Sequence, residues 1–136
     1  MKYLMLLILP LVLLGCAEDR TAALKNKTGE HLVETISTAE NVEVNFLLPE
    51  KSERILLNAE QVARLKELIL NDGHYTFDRM KTTPFFAEAA FHFGYETTLF
   101  VSRSAKQIQI VAPGKKVKLD NDPVAEKLEQ FLEDLR

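Results

Sequence analysis

The segment AEAAFHFGYETTLFVSRSAKQIQIVAPGKKVKL, residues 87–119, decides the fold. Apolar and polar residues alternate in four runs, and a short turn sequence separates each run from the next. Alternation with a period of two is typical of strands that bury one face, and short strands joined by short turns form an antiparallel meander. The pattern predicts strands at Ala87–Phe93, Thr97–Arg103, Gln107–Val111 and Lys115–Leu119.

Three segments upstream of the meander carry weaker strand patterns. Val42–Leu48 alternates in the same way and predicts another half-buried strand. Arg54–Leu57 is a short strand or an extended lead into a helix, and His74–Asp78 is predicted to be a strand. The segment Glu30–Ala39 fits either a short helix or a strand, and we favour the helix.

Two further segments have helical periodicity. Asn58 is a good N-cap with Gln61 three residues later, which is a capping-box arrangement and predicts a helix over residues 59–71. Asp122-Pro123 is a typical helix start, with Asp as the N-cap and Pro in the first turn. An apolar stripe follows at Val124, Leu128, Phe131, Leu132 and Leu135. This stripe must pack on the sheet.

The predicted order is strand, helix, four or five strands and a final helix. It predicts an α+β domain with an antiparallel sheet of about five to six strands and two helices packed on one face, since apolar faces must be covered. The order β-α-β4-α resembles the TATA-binding-protein-like topology. A resemblance of fold implies no function.

The first sixteen residues differ in composition from the rest of the chain. Lys2 is the only charged residue, and Tyr3–Leu14 is apolar apart from Pro10. Twelve such residues are too few to span a bilayer core of roughly 30 Å as a helix. They match the hydrophobic region of a secretory signal peptide.

The sequence Leu13-Leu14-Gly15-Cys16 resembles the lipobox of bacterial lipoproteins. The resemblance implies cleavage between Gly15 and Cys16 and attachment of lipid to the Cys16 thiol, and two or more acyl chains hold a protein stably on a membrane. Because Ala17 and not Asp follows the cysteine, similarity to Gram-negative lipoproteins implies an outer-membrane anchor facing the periplasm. The expected organisation is a signal peptide (1–15), a lipidated flexible tether (16–29) and one α+β domain (30–136).

Charge and cysteine content exclude several classes of protein. The chain of 136 residues has a net charge of −3, which argues against a nucleic-acid-binding protein. Cleavage would remove one lysine and leave a net charge of −4. The single cysteine excludes an internal disulfide framework and a cysteine-rich zinc site. Oligomeric state does not follow from these features.

Residues able to carry catalysis are sparse. The histidines are His31, His74 and His92, and no two have the spacing of metal ligands. Glu88 lies on the same strand face as His92, but four residues along a strand span about 13 Å. There is no nucleophile elbow and no glycine-rich phosphate loop. We therefore expect no catalytic residues, no metal site, no cofactor and no enzymatic activity. A small hydrolase using His92 with Glu88 or Asp78 is the least favoured alternative.

Basic residues are concentrated in the meander. Residues 97–119 contain five basic residues and no acidic residue. The polar positions of these strands define a candidate partner-binding face formed by Phe100, Ser102, Arg103, Gln107, Gln109, Lys116 and Lys118. One interpretation is a solvated surface whose lysines discourage edge pairing. The other is a surface that meets an envelope protein or an anionic surface.

The sequence thus favours a lipid-anchored, non-catalytic binding module of the cell envelope. The main alternative is a carrier or sensor of a small ligand, with a pocket between the sheet and the helices. It is motivated by the aromatic inner positions Phe46, Phe91 and Phe93.

Overall fold

A computed structural model describes residues 20–77 and 84–136 of the chain. The four helices of this part are α1 (Ala22–Thr28), α2 (Glu30–Thr38), α3 (Ala59–Ile69) and α4 (Ala125–Leu135). Its six strands are β1 (Val42–Phe46), β2 (Ile55–Leu56), β3 (Ala87–Phe93), β4 (Thr97–Ser102), β5 (Gln107–Ala112) and β6 (Lys115–Asp120). Short 3-10 turns lie at Asp72–His74, Arg103–Ala105 and Asp122–Val124. None of the helices in this part of the chain is long and apolar enough to cross a membrane.

The six strands form one open sheet in the order β2-β1-β3-β4-β5-β6, and every neighbouring pair is antiparallel. The predicted α+β class and antiparallel sheet are therefore confirmed. The four strands of the meander begin at the predicted residues and end within one residue of the prediction. Local alternation was sufficient here because each strand is joined to its neighbour by a short turn.

One face of the sheet, the inner face, supplies half of the hydrophobic core. Val42, Val44, Phe91, Leu99 and Val101 are fully buried on it. All four helices contribute apolar residues to the same core, among them the following: Leu24, Ile36, Leu65, Leu128 and Leu132. Because these helices cover the inner face, the apolar positions of the pleat on that side are removed from water.

The number of helices is where the fold differs most from expectation. We predicted two helices and a flexible tether over residues 16–29, but residues 22–28 form α1. Leu24 and Thr28 of this helix are buried, so it belongs to the domain. The helical interpretation of Glu30–Ala39 is confirmed by α2. With two helices ahead of β1 and a short β2 after it, the observed order departs from β-α-β4-α, and that resemblance is not confirmed.

A distant carboxylate explains why α1 folds. Asp72 Oδ2 accepts a hydrogen bond from Ala23 N (2.8 Å), and Asp72 Oδ1 accepts one from Leu24 N (2.9 Å). These two N–H groups belong to the first turn of α1, which has no partner for them within the helix. Asp72 N in turn donates to Arg20 O at 2.6 Å. The start of α1 is thereby fixed to the turn that follows α3.

The segment after α3 does not form the predicted strand. The capping box of Asn58 and Gln61 is confirmed, but α3 ends at Ile69. A 3-10 turn follows, and only Thr76 makes a β-bridge, with Asp120. The hydrogen bonds of Asp72 with α1 fix the turn at residues 72–74, so the extended backbone begins only at Tyr75. Asp78, the predicted strand's last residue, lies outside the described residues.

The C-terminal helix packs as its apolar stripe predicts. Phe131 is 3% exposed, and its ring lies 6.2 Å from that of Phe91 on the inner face of the sheet. The helix starts later than expected, because Asp122 and Pro123 belong to the 3-10 turn that precedes it. The residue at the N-cap position of α4 is Val124 and not the predicted Asp122.

We expect Phe131→Ala to lower the free energy of unfolding by about 3–5 kcal/mol, since truncation removes buried apolar surface and leaves a cavity. Urea denaturation followed by circular dichroism measures this change. Gln130→Ala is the control, because Gln130 is exposed on the same helix and its substitution should change stability by less than about 0.5 kcal/mol. Equal stability of the two variants would contradict the packing described here.

Candidate functional site

The opposite face of the sheet, the outer face, is the candidate interaction surface. The buried apolar residues of all four helices belong to the core on the inner face. Across the outer face, register places one row of side chains through Asn45, Ala90, Phe100, Gln109 and Lys118. This row runs from β1 to the edge strand β6, and it changes along its length from buried to exposed.

A second row lies beside the first on the outer face. It runs through Glu43, His92, Thr98, Val111 and Lys116, and Leu56 of β2 pairs with Glu43 at its end. Leu56 is 62% exposed. Together the two rows form a mixed surface, with apolar side chains set among polar ones and two exposed lysines on one edge.

The structure arranges the predicted partner-binding residues in rows across the sheet. Phe100, Gln109 and Lys118 share one row, and Lys116 lies in the neighbouring row. Ser102 and Gln107 lie on the same face, two residues beyond Phe100 and Gln109, where β4 ends and β5 begins. Arg103 is in the turn that follows β4, and the remaining residues, Ser102, Arg103 and Gln107, differ in exposure.

Ser102 and Gln107 are buried in the domain. Ser102 and Gln107 are each 6% exposed, and Ser102 Oγ accepts a hydrogen bond from Gln107 N at 2.9 Å. This bond closes the connection between β4 and β5, so the two side chains are not available to a partner. Arg103 is exposed, as is Lys106, the residue ahead of β5. We call the end of the sheet marked by Arg103 and Lys106 the basic end.

His92 is the centre of a polar cluster on the outer face. Its Nε2 lies 2.7 Å from Asn45 Oδ1, and Thr98 Oγ1 lies 3.4 Å from its Nδ1. A neutral imidazole satisfies both contacts, since Nε2–H donates to the amide oxygen and Nδ1 accepts from the hydroxyl. Partial burial lowers the pKa of His92, and the charge of Arg54 lowers it further, while Glu43 opposes the shift. Alternation places Asn45 on the same face as His92, but it does not predict their contact, because cross-strand pairs depend on a register that the local pattern does not give.

The alternative of a hydrolase finds no support in this geometry. The two ring nitrogens of His92 face an amide and a hydroxyl. The carboxylate of Glu88 instead forms an ion pair with Arg136, with 2.6 Å between Oε1 and Nη2. Asp78 lies outside the described residues. Within residues 20–77 and 84–136, no three histidine, cysteine, aspartate or glutamate side chains converge as metal ligands.

The interior between the sheet and the helices is closely filled where the structure describes it. A cavity of about 10 Å³ lies between α1, α2 and the inner face, bounded by Leu24, Ile36, Leu99 and Ile110. That volume is about the minimum for one water molecule. A carrier of a small ligand would need a larger site than this cavity. A groove of about 480 Å³ lies between α2 and the turns of the two hairpins, and the fully exposed Tyr95 is one of its lining residues.

The polar cluster makes the charge of His92 sensitive to its neighbours. We expect NMR titration to give a pKa for His92 below its ordinary value of 6.5. Arg54→Ala should raise that pKa because a nearby cation is removed, and Glu43→Gln should lower it because a nearby anion is removed. Since folding disfavours the protonated ring, its contribution to stability should be lost as pH falls from about 6.5 towards the folded-state pKa. Identical pKa values in all three proteins would contradict the cluster.

Comparison of the chain with family models, with curated proteins and with solved structures found no match. Three features of this chain bear on its function: the lipobox-like sequence at residues 13–16, the outer face of the sheet, and the basic end.

Proposed function

We propose that this protein is a lipid-anchored protein of the bacterial cell envelope that binds a partner protein through the outer face of its sheet. The observation that carries the proposal is that, within residues 20–77 and 84–136, the four helices bury their apolar residues on the inner face and none of them covers the outer face. The sequence Leu13-Leu14-Gly15-Cys16 supports the anchor, and Ala17 supports the outer membrane as its location.

The chemistry of the outer face suits a transient protein partner. Phe100 and Val111 are half-buried, and Leu56 at the β2 edge is exposed. Polar side chains surround these apolar ones. Non-obligate protein interfaces have this mixed composition, with an apolar centre and a polar rim.

Charge indicates what kind of partner would fit. Lys116 and Lys118 are exposed on the edge strand β6, although the chain as a whole carries a net charge of −3. A local basic strip on an acidic protein steers an acidic surface into a defined orientation and raises the rate of encounter more than the final affinity. We therefore propose a partner with an acidic patch that lies over β5 and β6.

The size of the face sets a limit on affinity. Six strands about 4.8 Å apart give a width of about 24 Å, and strands of about six residues give a length of about 20 Å. A contact of those dimensions lies at the low end of specific protein interfaces, where binding is weak and depends on charge. The proposal includes no catalytic step and no cofactor. The predicted order resembles the TATA-binding-protein-like topology, but the proposal takes nothing about function from it, because a resemblance of fold implies no function.

The anchor is tested by the substitution Cys16→Ala. Cells grown with a radiolabelled fatty acid should label the wild-type protein and leave the variant unlabelled, because the variant lacks the thiol that forms the thioether. The variant should also be recovered as an uncleaved or soluble form. Equal labelling of the two proteins would show that Cys16 is not the site of lipid attachment.

The binding face is tested by the double substitution Lys116→Glu and Lys118→Glu. A photo-cross-linking side chain placed at Gln109 should give a discrete adduct with the partner in intact cells. The double variant should reduce its yield roughly tenfold at low salt, since it reverses the charge that steers encounter. Stability should change by less than about 0.5 kcal/mol, as expected for exposed side chains.

The matched control is Lys51→Glu with Lys127→Glu. Both lysines are exposed, and they lie outside the two rows of the outer face. The change in net charge is the same in the two double variants. If the control lowered the adduct yield as much as Lys116→Glu with Lys118→Glu, the strip on β6 would have no special role in binding.

A further inference from the structure

We infer that the basic end of the sheet rests on an anionic lipid surface, with the Phe86 ring at the level of the headgroups and with Arg103 and Lys106 beside lipid phosphates. The inference rests on the proposed anchor at Cys16. It adds an orientation of the domain and a second contact with the membrane. Three observations carry it: the place where the chain enters the domain, the short distance in sequence from there to Cys16, and the side chains at that end.

The domain begins close to the proposed site of lipid attachment. Arg20 O accepts the hydrogen bond from Asp72 N, and α1 begins two residues later. Arg20 is four positions after Cys16, with three residues between them. A fully extended chain spans at most about 3.6 Å per residue, so Arg20 lies within about 14 Å of the Cys16 backbone. The predicted tether of residues 16–29 would have reached more than three times as far.

The chain enters the domain at the basic end of the sheet. The segment from Asp72 continues to Thr76, whose N–H donates to Asp120 O (2.9 Å) at the end of β6. The next residue, Asn121, donates from its N–H to Lys106 O at 3.0 Å. These bonds connect the start of α1, the end of β6 and the start of β5 at one end of the molecule.

The other end of α1 confirms its direction. Gly29, which follows α1, lies against Lys115 at the start of β6. The helix therefore runs along β6 from the basic end towards the end that carries the hairpin turns. Because a strand of six residues is about 20 Å long, the exposed Tyr95 in the first hairpin turn lies about that much farther from the anchor.

Exposed aromatic and cationic side chains meet at the basic end. Phe86 is 64% exposed, and its carbonyl accepts a hydrogen bond from Arg103 N at 2.9 Å. Phe86, Arg103 and Lys106 line one open groove of about 310 Å³. Such an exposed ring is unfavourable in water, whereas amphipathic protein surfaces place aromatic rings at the membrane interface and basic residues against anionic headgroups.

The charge of the groove at this end favours an anionic surface. Arg103 and Lys106 are exposed cations, and none of the residues lining the groove is acidic. Arg20 is a third exposed cation, and Glu18 and Asp19 precede it in the sequence. Among the other acids at this end, the carboxylate of Asp72 faces the N–H groups of α1, which compensate its charge, Asp120 is buried, and Asp122 is exposed. A bilayer containing phosphatidylglycerol is the occupant that matches this charge and the position of the anchor.

The orientation also keeps the outer face accessible. With the basic end on the membrane, the strands stand away from the bilayer surface, and the rows through Phe100 and His92 face sideways. A partner could then bind the outer face without displacing lipid. The membrane contact and the proposed protein contact thus use different parts of the molecule.

The test uses fluorescence, because the chain contains no tryptophan. Phe86→Trp places one indole at the basic end, and Tyr95→Trp places one at the opposite end as the matched control. The core residues that the structure describes lie between Leu24 and Leu135, so a chain that begins at Cys16 retains them. Cys16 is the sole cysteine and is coupled through its thiol to a maleimide lipid in vesicles of phosphatidylethanolamine and phosphatidylglycerol. Brominated acyl chains in the vesicles quench the fluorescence of an indole that lies in contact with the membrane.

We expect the fluorescence emission of the indole in Phe86→Trp to shift to shorter wavelength when the protein is attached to vesicles. Its emission should be quenched about twofold or more relative to that of Tyr95→Trp, since interfacial groups lie within about 5–10 Å of the acyl boundary. Adding Arg103→Glu and Lys106→Glu to Phe86→Trp, or removing phosphatidylglycerol, should reduce the quenching. Pro84→Trp, at the same end, provides a second probe should Phe86→Trp unfold.

Equal quenching at the two ends, or none at Phe86→Trp and Pro84→Trp, would overturn the inference. Its failure is distinguishable from failure of the proposed anchor, because the vesicle attachment is made chemically and does not depend on lipidation in cells. Unlabelled wild-type protein in the fatty-acid experiment would refute the anchor, whatever the quenching result.

Discussion

The burial of Phe91 and Leu99 beneath the helices is the interaction on which the rest of the structure depends. Phe91 lies against Phe131 of α4, while Leu99 faces the small cavity that Leu24 of α1 helps to close. Apolar residues on one face of a sheet must be covered, and here the covering elements come from both ends of the described chain. Two consequences follow. No helix of the part of the chain that the structure describes covers the outer face, and α1 packs into the domain.

These two consequences connect the fold to the proposed function. Because α1 is held by Leu24 in the core and by Asp72 at its first turn, the domain starts within a few residues of Cys16. With the proposed anchor at Cys16, a domain held so closely would have one end near the membrane, and that end carries the exposed Phe86. The outer face would then be directed sideways. The proposed anchor, the proposed membrane contact and the proposed partner contact thereby use separate regions.

The parts of the fold that sequence could predict are those with local causes. Alternation gave the four meander strands, and the Asn58–Gln61 pair gave the start of α3, because each signal lies within a few residues. The helix α1 could not be predicted, since its cap comes from Asp72, nearly fifty residues away. The candidate face was predicted in part: Ser102 and Gln107 alternate like their outward neighbours, but both are buried, and the Ser102 hydroxyl is used by the backbone N–H of Gln107. The His92–Asn45 pair depends on strand register, which alternation alone does not specify.

The most direct test of the account is whether β5 is covered on one face only. Single cysteines placed at Ile108, Gln109, Ile110 and Val111 in a Cys16→Ser background would be modified by a water-soluble maleimide under native conditions. Ile108 is 1% and Ile110 is 5% exposed, whereas Gln109 and Val111 lie on the outer face. The account predicts rapid modification at Gln109→Cys and Val111→Cys and slow modification at Ile108→Cys and Ile110→Cys. Similar rates at all four positions, or the reverse alternation, would contradict it.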